Sequence, residues 1–468
     1  MNDLDASIDN YYTIEGSSLS IHMNSRLPDT TNTILRPAKD LDDVIKTVFI
    51  NDLSDNNYGI LRIQLPESVE NIYFNGCDDV SDEAEFVVLY IEAKGLKLLD
   101  MEFMYISKMY ITDNGKISFS IDSRDRMIMI DPGPLDKIHD LSISSPYDFQ
   151  ESHYSIDGLT GLKSLSTNYI IINQLMINNM DIIDNIECMC LNGRDYISDE
   201  RIKEIHNMIS KLLNIRRLHI NLRRSEHIND IINHPKLEYL YIKGEEYSNT
   251  SVYNRPTYGI YDSSLNNLKY ISSIYIGSEM ISHIMNRCPN IETLELLHST
   301  ISVNTILRHS LRNIRFNEVK VIDNSIPTED MMMDIDLLFY HSSSDDRNIS
   351  NLLPHIKSIN IFRTFSLDDN IRSLIDNGFL SMINTLELNH SQHVIKYIEE
   401  INRVEALNLH SINIEDIKDG FIDKFKGKLS YKYIDYKNDK CCIIDALLSP
   451  YVYRDEILFN KIKELMII

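Results

Sequence analysis

The chain has 468 residues, of which 43% are hydrophobic and 25% are charged, a balance that excludes bulk disorder. Its 46 basic and 70 acidic residues give a formal net charge of −24, and a field of this sign repels phosphate backbones, which disfavours general nucleic-acid binding. The 6 cysteines are too sparse for a disulfide scaffold, and no apolar run reaches the roughly 20 residues of a membrane span.

Residues 1–55 begin without a basic segment or an apolar run, so we expect no signal peptide and a cytoplasmic, intracellular protein. This polar region is predicted to cap one end of the fold, with a short helix near Leu41–Phe49. The abundance of Ile, Asn, Asp and Tyr is typical of an AT-rich genome, such as that of a large DNA virus, and would place the protein in an infected host cell.

Residues 56–185 are predicted to form irregular, strand-rich repeats. Apolar residues recur at the first, fourth and sixth places of short segments, and a strand with this spacing buries the last two on one face. The connectors are short or irregular, so we expect mostly strands here. The segments are Val69-Ile72-Phe74, Phe86-Leu89-Ile91, Ile106-Met109-Ile111, Ile138-Leu141-Ile143 and Leu162-Leu165.

Residues 186–427 carry the same apolar triplet in an ordered series. The starting positions are about 20 to 34 residues apart, close to the period of leucine-rich repeats. The triplets are Ile186-Met189-Leu191, Ile215-Leu218-Ile220, Leu237-Leu240-Ile242, Ile271-Ile274-Ile276, Ile291-Leu294-Leu296, Leu311-Ile314-Phe316, Ile335-Leu338-Tyr340, Ile356-Ile359-Ile361, Ile383-Leu386-Leu388 and Val404-Leu407-Leu409.

Segments with helical period lie between these strands. Residues 198–213 place an apolar stripe on one face, with Ser198 as a candidate N-cap. The stripe is formed by Ile202, Ile205, Ile209 and Leu212. Shorter segments of the same kind begin at Ser225, Ser278 and Ser391. Repetition of strand, turn, capped helix and strand predicts an α/β solenoid with a curved parallel sheet and outer helices.

Residues 428–468 are predicted to cap the other end, with a strand that contains Tyr431 and Tyr433 and a helix from Arg454. Two polar insertions, at 244–264 and 342–346, interrupt the period. Insertions at repeat edges often bind partners, but we interpret these as tolerated loops.

The stretches CPNIETLEL (Cys288–Leu296) and HPKLEYLYI (His234–Ile242) resemble the cysteine-containing leucine-rich repeats of ubiquitin-ligase substrate adaptors. LPESVENIYFNG (Leu65–Gly76) is similar to the repeats of some protist and bacterial-effector proteins. The resemblance covers most of residues 60–415 and implies a protein-recognition scaffold with ligands on the concave strand face. The N-terminus shows no F-box-like helical motif, although Leu27-Pro28 resembles the start of one. The family's usual Asn or Cys after the strand is replaced by Ser299, Val319, Thr364, Ser391 and Ile412.

No motif points to catalysis, a cofactor or a metal. The sequence has no glycine-rich phosphate loop, no G-x-S-x-G and no H-E-x-x-H. Cys188-Met189-Cys190 and Cys441-Cys442 lack the C-x-x-C spacing, and His390 and His393 have no further ligand nearby. Cys288 is expected to be buried as a small apolar group. We therefore expect a protein that is not an enzyme and holds no cofactor or metal.

The side chain between the fourth and sixth places of each triplet must point away from the core. Exposed Tyr, Phe and Arg in one patch are typical anchors of protein interfaces, although stacked aromatic residues also stabilise adjacent strands. The predicted column is His219, Tyr241, Tyr275, Glu295, Arg315, Phe339, Asn360, Glu387 and Asn408. The predicted protein-binding residues are Arg216, Arg217, His219, Tyr239, Tyr241, Tyr275, Arg312, Arg315 and Phe339.

The sequence therefore predicts a non-enzymatic intracellular scaffold that binds a protein ligand through its concave strand face. The acidic net charge fits a ligand with a basic surface or a basic patch, although solubility alone also accounts for it. One alternative is a substrate-recognition adaptor for a ubiquitin ligase, and another is a structural protein of a large DNA virus. A third is an enzyme within residues 1–160. Continuity of that region with the main sheet would argue against the enzyme.

Overall fold

The computed structural model describes residues 12–22, 33–35, 44–51, 58–75, 86–101, 108–111, 127–131, 135–143, 153–156, 158–178, 180–192, 199–221, 234–244, 265–322, 332–341, 349–365, 378–389, 401, 403–410 and 428–432. These residues form an α/β fold in which parallel strands dominate and helices are few. The chain divides into two compact units: unit 1 is Met1–Tyr239 with Thr257–Ser263, and unit 2 is Leu240–Pro256 with Ser264–Ile468.

The main sheet of unit 1 is a ladder of strands that pair in chain order. Its first pair is antiparallel and the later neighbours are parallel. The strands are β1 (Tyr12–Glu15), β2 (Ser18–His22), β4 (Thr47–Asn51), β6 (Asn71–Asn75), β8 (Leu98–Met101), β11 (Asp140–Ile143), β13 (Ser164–Thr167), β14 (Cys188–Leu191) and β15 (Arg217–Asn221).

A second parallel sheet in unit 1 is built from the strands that lie between these in the chain. In spatial order its strands are β3 (Thr33–Leu35), β5 (Tyr58–Gln64), β7 (Phe86–Glu92), β10 (Met127–Asp131), β9 (Lys108–Ile111) and β12 (His153–Ser155). This corrects one interpretation of the sequence. The predicted triplets at Phe86 and Ile106 do not continue the row that contains Ile72, because apolar spacing alone does not specify which sheet a strand joins.

Unit 2 contains a parallel ladder whose neighbours again follow chain order. Its strands are β16 (Tyr239–Lys243, of which the first residue falls in unit 1), β17 (Tyr270–Ile274), β18 (Thr293–Leu297), β20 (Asn313–Asn317), β22 (Met333–His341), β23 (Ile356–Phe365), β24 (Ile383–Asn389), β25 (Ala406–His410) and β26 (Lys428–Lys432). Two short strands, β19 (Thr300–Ser302) and β21 (Lys320–Ile322), pair separately.

Helices occupy some of the connections. In unit 1 they are Tyr169–Asn178, Met180–Ile183 and Asp199–Ile209, with a 3₁₀ turn at Leu135–Lys137. In unit 2 they are Ser278–Asn286 and Val303–Leu307, with 3₁₀ turns at Ile349–Asn351, Leu353–His355 and Phe379–Met382. The helices expected at 198–213 and from Ser278 are therefore present in the described part of the chain.

Part of the predicted N-terminal helix is wrong. Residues Thr47–Asn51 form strand β4 and not the end of a helix near Leu41–Phe49. Val48 and Ile50 are fully buried, which is the alternation that a strand requires. The segments from Ser225 and Ser391, the insertions at 245–264 and 342–346, and the helix expected from Arg454 lie outside the described residues.

The apolar triplets supply the core of both ladders. The side chains of Ile291, Leu294 and Leu296 are fully buried, and each side chain of this size contributes about 1.5–3 kcal/mol when it leaves water. Register places the fourth core position of each repeat beside its equivalent on the next strand. In unit 2 this fully buried row is Leu294, Ile314, Leu338, Phe362, Leu386 and Leu407.

Two predicted triplets have the wrong register. Leu268 and Ile271 take the first and fourth positions on β17, so Ser273 takes the sixth position, and Ile274 is only half-buried. On β23 the three positions are Ile359, Phe362 and Thr364. In both segments apolar residues three apart overlap, so the spacing fits two registers, and a small hydroxyl residue fills the last core position.

Charged side chains alternate along the edge where the strands begin. In several repeats the residue before the strand donates its backbone N–H to the equivalent carbonyl of the previous repeat, for example Glu292 to Lys269, and Asp336 takes this position inside the longer strand β22. Because these positions are stacked, opposite charges meet as exposed ion pairs. We call this the strand-entry row; its pairs are Lys46–Glu70, Lys97–Glu70, Lys163–Glu187 and Arg216–Glu238 in unit 1, and Lys269–Glu292 and Arg312–Asp336 in unit 2.

Candidate functional site

The face of each ladder opposite the core carries polar and aromatic side chains, and we call it the polar face. Its central residue on each strand lies between the fourth and sixth core positions. The parallel register aligns these residues into one row per unit. In unit 2 the polar row is Ser272, Glu295, Arg315, Phe339, Arg363, Glu387 and Asn408.

The middle of the unit 2 row has a symmetric order of charges. Phe339 lies between Arg315 and Arg363 in register, and each arginine has a glutamate on its far side. Adjacent strands lie about 4.8 Å apart, so the two arginines are on the order of 10 Å apart along the row. Arg315 and Phe339 are half-buried, and the two glutamates are buried.

Hydrogen bonds hold both glutamates in place. Arg363 Nε donates to Glu387 Oε2 over 2.5 Å, and Asn408 Nδ2 donates to Glu387 Oε1 over 3.1 Å. At the other end, the Tyr270 hydroxyl donates to Glu295 Oε2. Charge-assisted hydrogen bonds of this kind are stronger than neutral ones. Arg363 is therefore presented from a fixed frame, which reduces the conformational entropy lost when a ligand binds.

The unit 1 row has smaller side chains. Near its start lie Phe49 and Tyr73, whose rings stack with centroids 5.2 Å apart, and the row ends at His219. Register gives the full row as Ser20, Phe49, Tyr73, Asp100, Ser142, Ser166, Cys190 and His219. Cys190 Sγ lies 3.2 Å from His219 Nδ1.

Three residues that follow consecutive strands of unit 2 have left-handed backbones, and we call them the strand-exit row. Tyr275, His298 and Glu318 have φ of 57°, 46° and 53°. Their N–H groups donate to the last residue of the next strand over 2.8–3.0 Å. The Tyr275 and His298 rings stack with centroids 5.1 Å apart and 7° between planes. This conformation costs a non-glycine residue on the order of 1 kcal/mol or more, and such strain concentrates at functional sites.

The structure brings only some of the predicted binding residues together. Arg315 and Phe339 are neighbours in the unit 2 polar row. In unit 1, Arg217 and His219 share one face of β15, with Arg217 exposed and His219 half-buried. Tyr241 is buried and Tyr239 is half-buried at the start of β16.

Other predicted residues lie on the edges of the ladders. Arg216 and Arg312 belong to the strand-entry row, where they pair with Glu238 over 2.5 Å and with Asp336 over 3.7 Å. Tyr275 belongs to the strand-exit row and not to the polar row. Asn360 is likewise outside the row, because the register of β23 places Arg363 there.

Sequence reasoning missed Ser272 and Arg363 as members of the polar row. A signal for Arg363 was present: if Phe362 is taken as the fourth core position, the next residue is Arg363, and its partner in the following triplet is Glu387. Opposite charges at equivalent positions of neighbouring repeats would have favoured this register.

Ser299 has a role that its residue type did not reveal. Its side chain is buried, and Oγ accepts from Ile276 N over 3.2 Å and donates to Leu297 O over 2.8 Å. It therefore satisfies loop backbone groups where an Asn or Cys was expected. The sequence pattern predicts the same loop position for Thr364, but Thr364 is a buried residue of strand β23.

Cys288 is fully buried, as expected from its place before a strand. Its thiol donates to Ile284 O over 3.0 Å, and burial raises its pKa to about 12. Within the described ranges, no three His, Cys, Asp or Glu side chains are grouped so that they could hold a metal ion. None of the helices in the described part of the chain is long and apolar enough to cross a membrane.

No protein-family model matches this sequence, and the comparison with curated proteins finds no match. The function must therefore be inferred from the residues and geometry above.

Proposed function

We propose that the chain is a leucine-rich-repeat-like solenoid that works as a non-enzymatic scaffold and binds a protein ligand on its strand face. The parallel ladders in each unit and the recurring buried triplets support the repeat architecture. The contacts of Ser299 support the leucine-rich-repeat comparison, since its side chain bonds the loop backbone as the family's Asn or Cys does.

The observation that carries the binding proposal is the Arg315, Phe339 and Arg363 segment of the unit 2 polar row. Aromatic and arginine side chains are enriched among residues that dominate interface energies. Here they sit in register on adjacent strands, with Arg363 held by Glu387. Such a fixed cluster supplies a large contact area at a low entropic cost.

The charge of the whole chain supports a partner with a basic surface. A formal net charge of −24 attracts such a surface over long range and raises its rate of association at low salt. The two arginines of the row then favour local pairing with carboxylates of the same partner. The expected interface is therefore one of mixed charge.

The main sheet of unit 1 favours a scaffold over an enzyme in residues 1–160. Strands β2, β4, β6, β8 and β11 pair in one parallel ladder that continues into β13, β14 and β15. The second sheet lies within the same residues, but its strands alternate along the chain with those of the main sheet, and both sheets belong to one compact unit. This continuity supports the proposal that the region belongs to the repeat array.

Affinity capture from cells that express the chain tests the proposal. The wild type is compared with an Arg315→Ala, Phe339→Ala double variant and with Arg308→Ala. Arg308 is an exposed arginine at the end of the helix Val303–Leu307, away from the polar row. We expect the double variant to lose the ligand and Arg308→Ala to keep it.

The captured protein is then purified and its Kd for each variant is measured by calorimetry. Removal of two anchors is expected to weaken binding by about 2–4 kcal/mol, roughly 30-fold to 1000-fold. Arg312→Ala shows whether the ligand also reaches the strand-entry row. Equal affinity of the folded double variant and the wild type would refute binding at the polar row.

A further inference from the structure

Cys190 and His219 face each other on adjacent strands of unit 1. Parallel register aligns the two residues on β14 and β15, and Cys190 Sγ lies 3.2 Å from His219 Nδ1. Cys190 is buried, with 8% of its surface exposed, and its thiol also donates to Asn192 Oδ1 over 3.4 Å. An imidazole at this distance is able to accept the thiol proton, and the thiolate is the nucleophilic form of cysteine.

Neighbouring charges both raise and lower the pKa of Cys188, which lies two residues before Cys190 on the same strand. Cys190 is flanked in register by Ser166 and His219, and two residues earlier Cys188 is aligned with Arg217. At Cys188 burial raises the thiol pKa, the Arg217 charge opposes this rise, and the charges of Asp140 and Glu187 add to it. Cys188 is thus a protonated thiol on the same strand, and it serves as an internal reference for Cys190.

We propose that Cys190 and His219 form a nucleophilic dyad and that Cys190 is a modification site for soft electrophiles. With iodoacetamide as the electrophile, the Cys190 sulfur attacks the methylene carbon. The S–C bond forms as the C–I bond breaks, and iodide leaves with the electron pair. The thiol proton passes to His219 Nδ1 and then to solvent, so the step needs no oxidant and no cofactor.

The test is the alkylation rate of each cysteine in the full chain, resolved by peptide mass spectrometry from about pH 6 to pH 9. At neutral pH we expect Cys190 to react at least about tenfold faster than Cys188. Cys190→Ser should remove the fast reaction, and Cys188→Ser should leave it. Cys288 should stay unlabelled until urea unfolds the chain.

His219→Gln tests the role of the imidazole. The Cys190 rate should fall about tenfold at neutral pH, and its rise should move to higher pH. His139→Gln is the matched control, since His139 is an exposed histidine elsewhere in unit 1. Circular dichroism reports whether each variant keeps the wild-type fold.

Two results would overturn the dyad. One is a folded His219→Gln variant in which Cys190 reacts as fast as in the wild type. The other, which needs no variant, is a native wild-type chain in which Cys190 reacts no faster than Cys188. The second comparison decides the question even where His219→Gln fails to fold.

Discussion

In unit 1 the polar row passes through Ser142, Ser166 and Cys190, whereas the polar row of unit 2 passes through Arg315, Phe339 and Arg363. The core beneath the two rows is of the same kind, since mostly apolar buried residues, with Leu and Ile in both units, alternate with the row. A strand ladder thus determines the positions of the polar-face side chains but not their residue types. The two units therefore share one kind of strand ladder and differ in the side chains of its polar face.

The two units also differ in the backbone conformation of residues outside the strands. Among the described residues, the left-handed non-glycine residues Tyr275, His298 and Glu318 belong to unit 2, and the glycines with positive φ are Gly16 and Gly158 in unit 1 and Gly378 in unit 2. Glycine adopts this conformation without strain, whereas tyrosine and glutamate do not. Unit 2 therefore tolerates strain next to its charged polar row, and we expect specific binding there rather than in unit 1.

The largest expected effect separates core from polar face within unit 2. Phe316→Ala removes a fully buried ring on β20 and should lower the free energy of unfolding by about 3–5 kcal/mol. Phe339→Ala removes the same atoms from the half-buried polar face of the neighbouring strand and should cost less than about 1.5 kcal/mol. Urea unfolding followed by circular dichroism measures both. Equal losses would mean that Phe339 is part of the core.

Much of this core was predictable from sequence, because period-two alternation leaves little choice at Ile291, Leu294 and Leu296. Prediction failed where the pattern fits two registers. Because isoleucines three residues apart precede Ile276 and Ile361, the pattern predicts these two residues at the last core position. Ser273 and Thr364 occupy it instead. The same ambiguity of register explains why the sequence pattern predicts Tyr275 in the polar row and does not predict Arg363 there.

The second sheet of unit 1 was not predictable for a different reason. Its strands, such as β7, have the same apolar alternation as those of the main sheet. Partner choice depends on long-range pairing that a local pattern does not encode. The Cys190–His219 pair needed the register of two strands 29 residues apart in the chain, although the two residues share a position relative to their triplets.

A methyl group added at Gly244 tests how tightly the repeats of unit 2 are stacked. A Cβ atom there would lie 2.6 Å from the Tyr275 carbonyl oxygen, which belongs to the next repeat. Gly244→Ala should therefore cost about 1–3 kcal/mol through a backbone shift. Gly277→Ala adds the same group where no atom lies within 4 Å, and it should change stability by less than about 0.5 kcal/mol. Similar unfolding midpoints for the two variants would contradict the close packing.

In unit 2 the contribution of an ion pair to stability should increase with the burial of its side chains. In the Arg363–Glu387 pair the side chains are 28% and 10% exposed, compared with 61% and 50% in the Lys269–Glu292 pair. Arg363→Ala leaves the buried Glu387 carboxylate with the hydrogen bond from the Asn408 amide and should cost about 1–2 kcal/mol. Lys269→Ala should cost less than about 0.5 kcal/mol. A double-mutant cycle with Glu387→Gln measures the coupling directly, and a coupling near zero would show that the polar-row frame is not rigid.

The smallest expected effect is a dependence of unit 2 on pH. Burial lowers the pKa of His309 and of His283 from 6.5. The charge of Arg308 adds to this shift at His309, and that of Arg287 adds to it at His283. A hydrogen bond to the Cys288 backbone opposes the shift at His309. A folded pKa below the unfolded value means that the unfolded chain binds more protons, so this contribution to stability is present above pH 6.5 and is lost as the pH falls through the folded pKa. Hydrogen exchange in the helix Ser278–Asn286, corrected for intrinsic rates, should therefore quicken between about pH 7 and pH 5. The double variant His283→Gln, His309→Gln should flatten this dependence, whereas His139→Gln in unit 1 should leave it unchanged. A double variant with the wild-type slope would show that carboxylates, and not these histidines, set the acid sensitivity of unit 2.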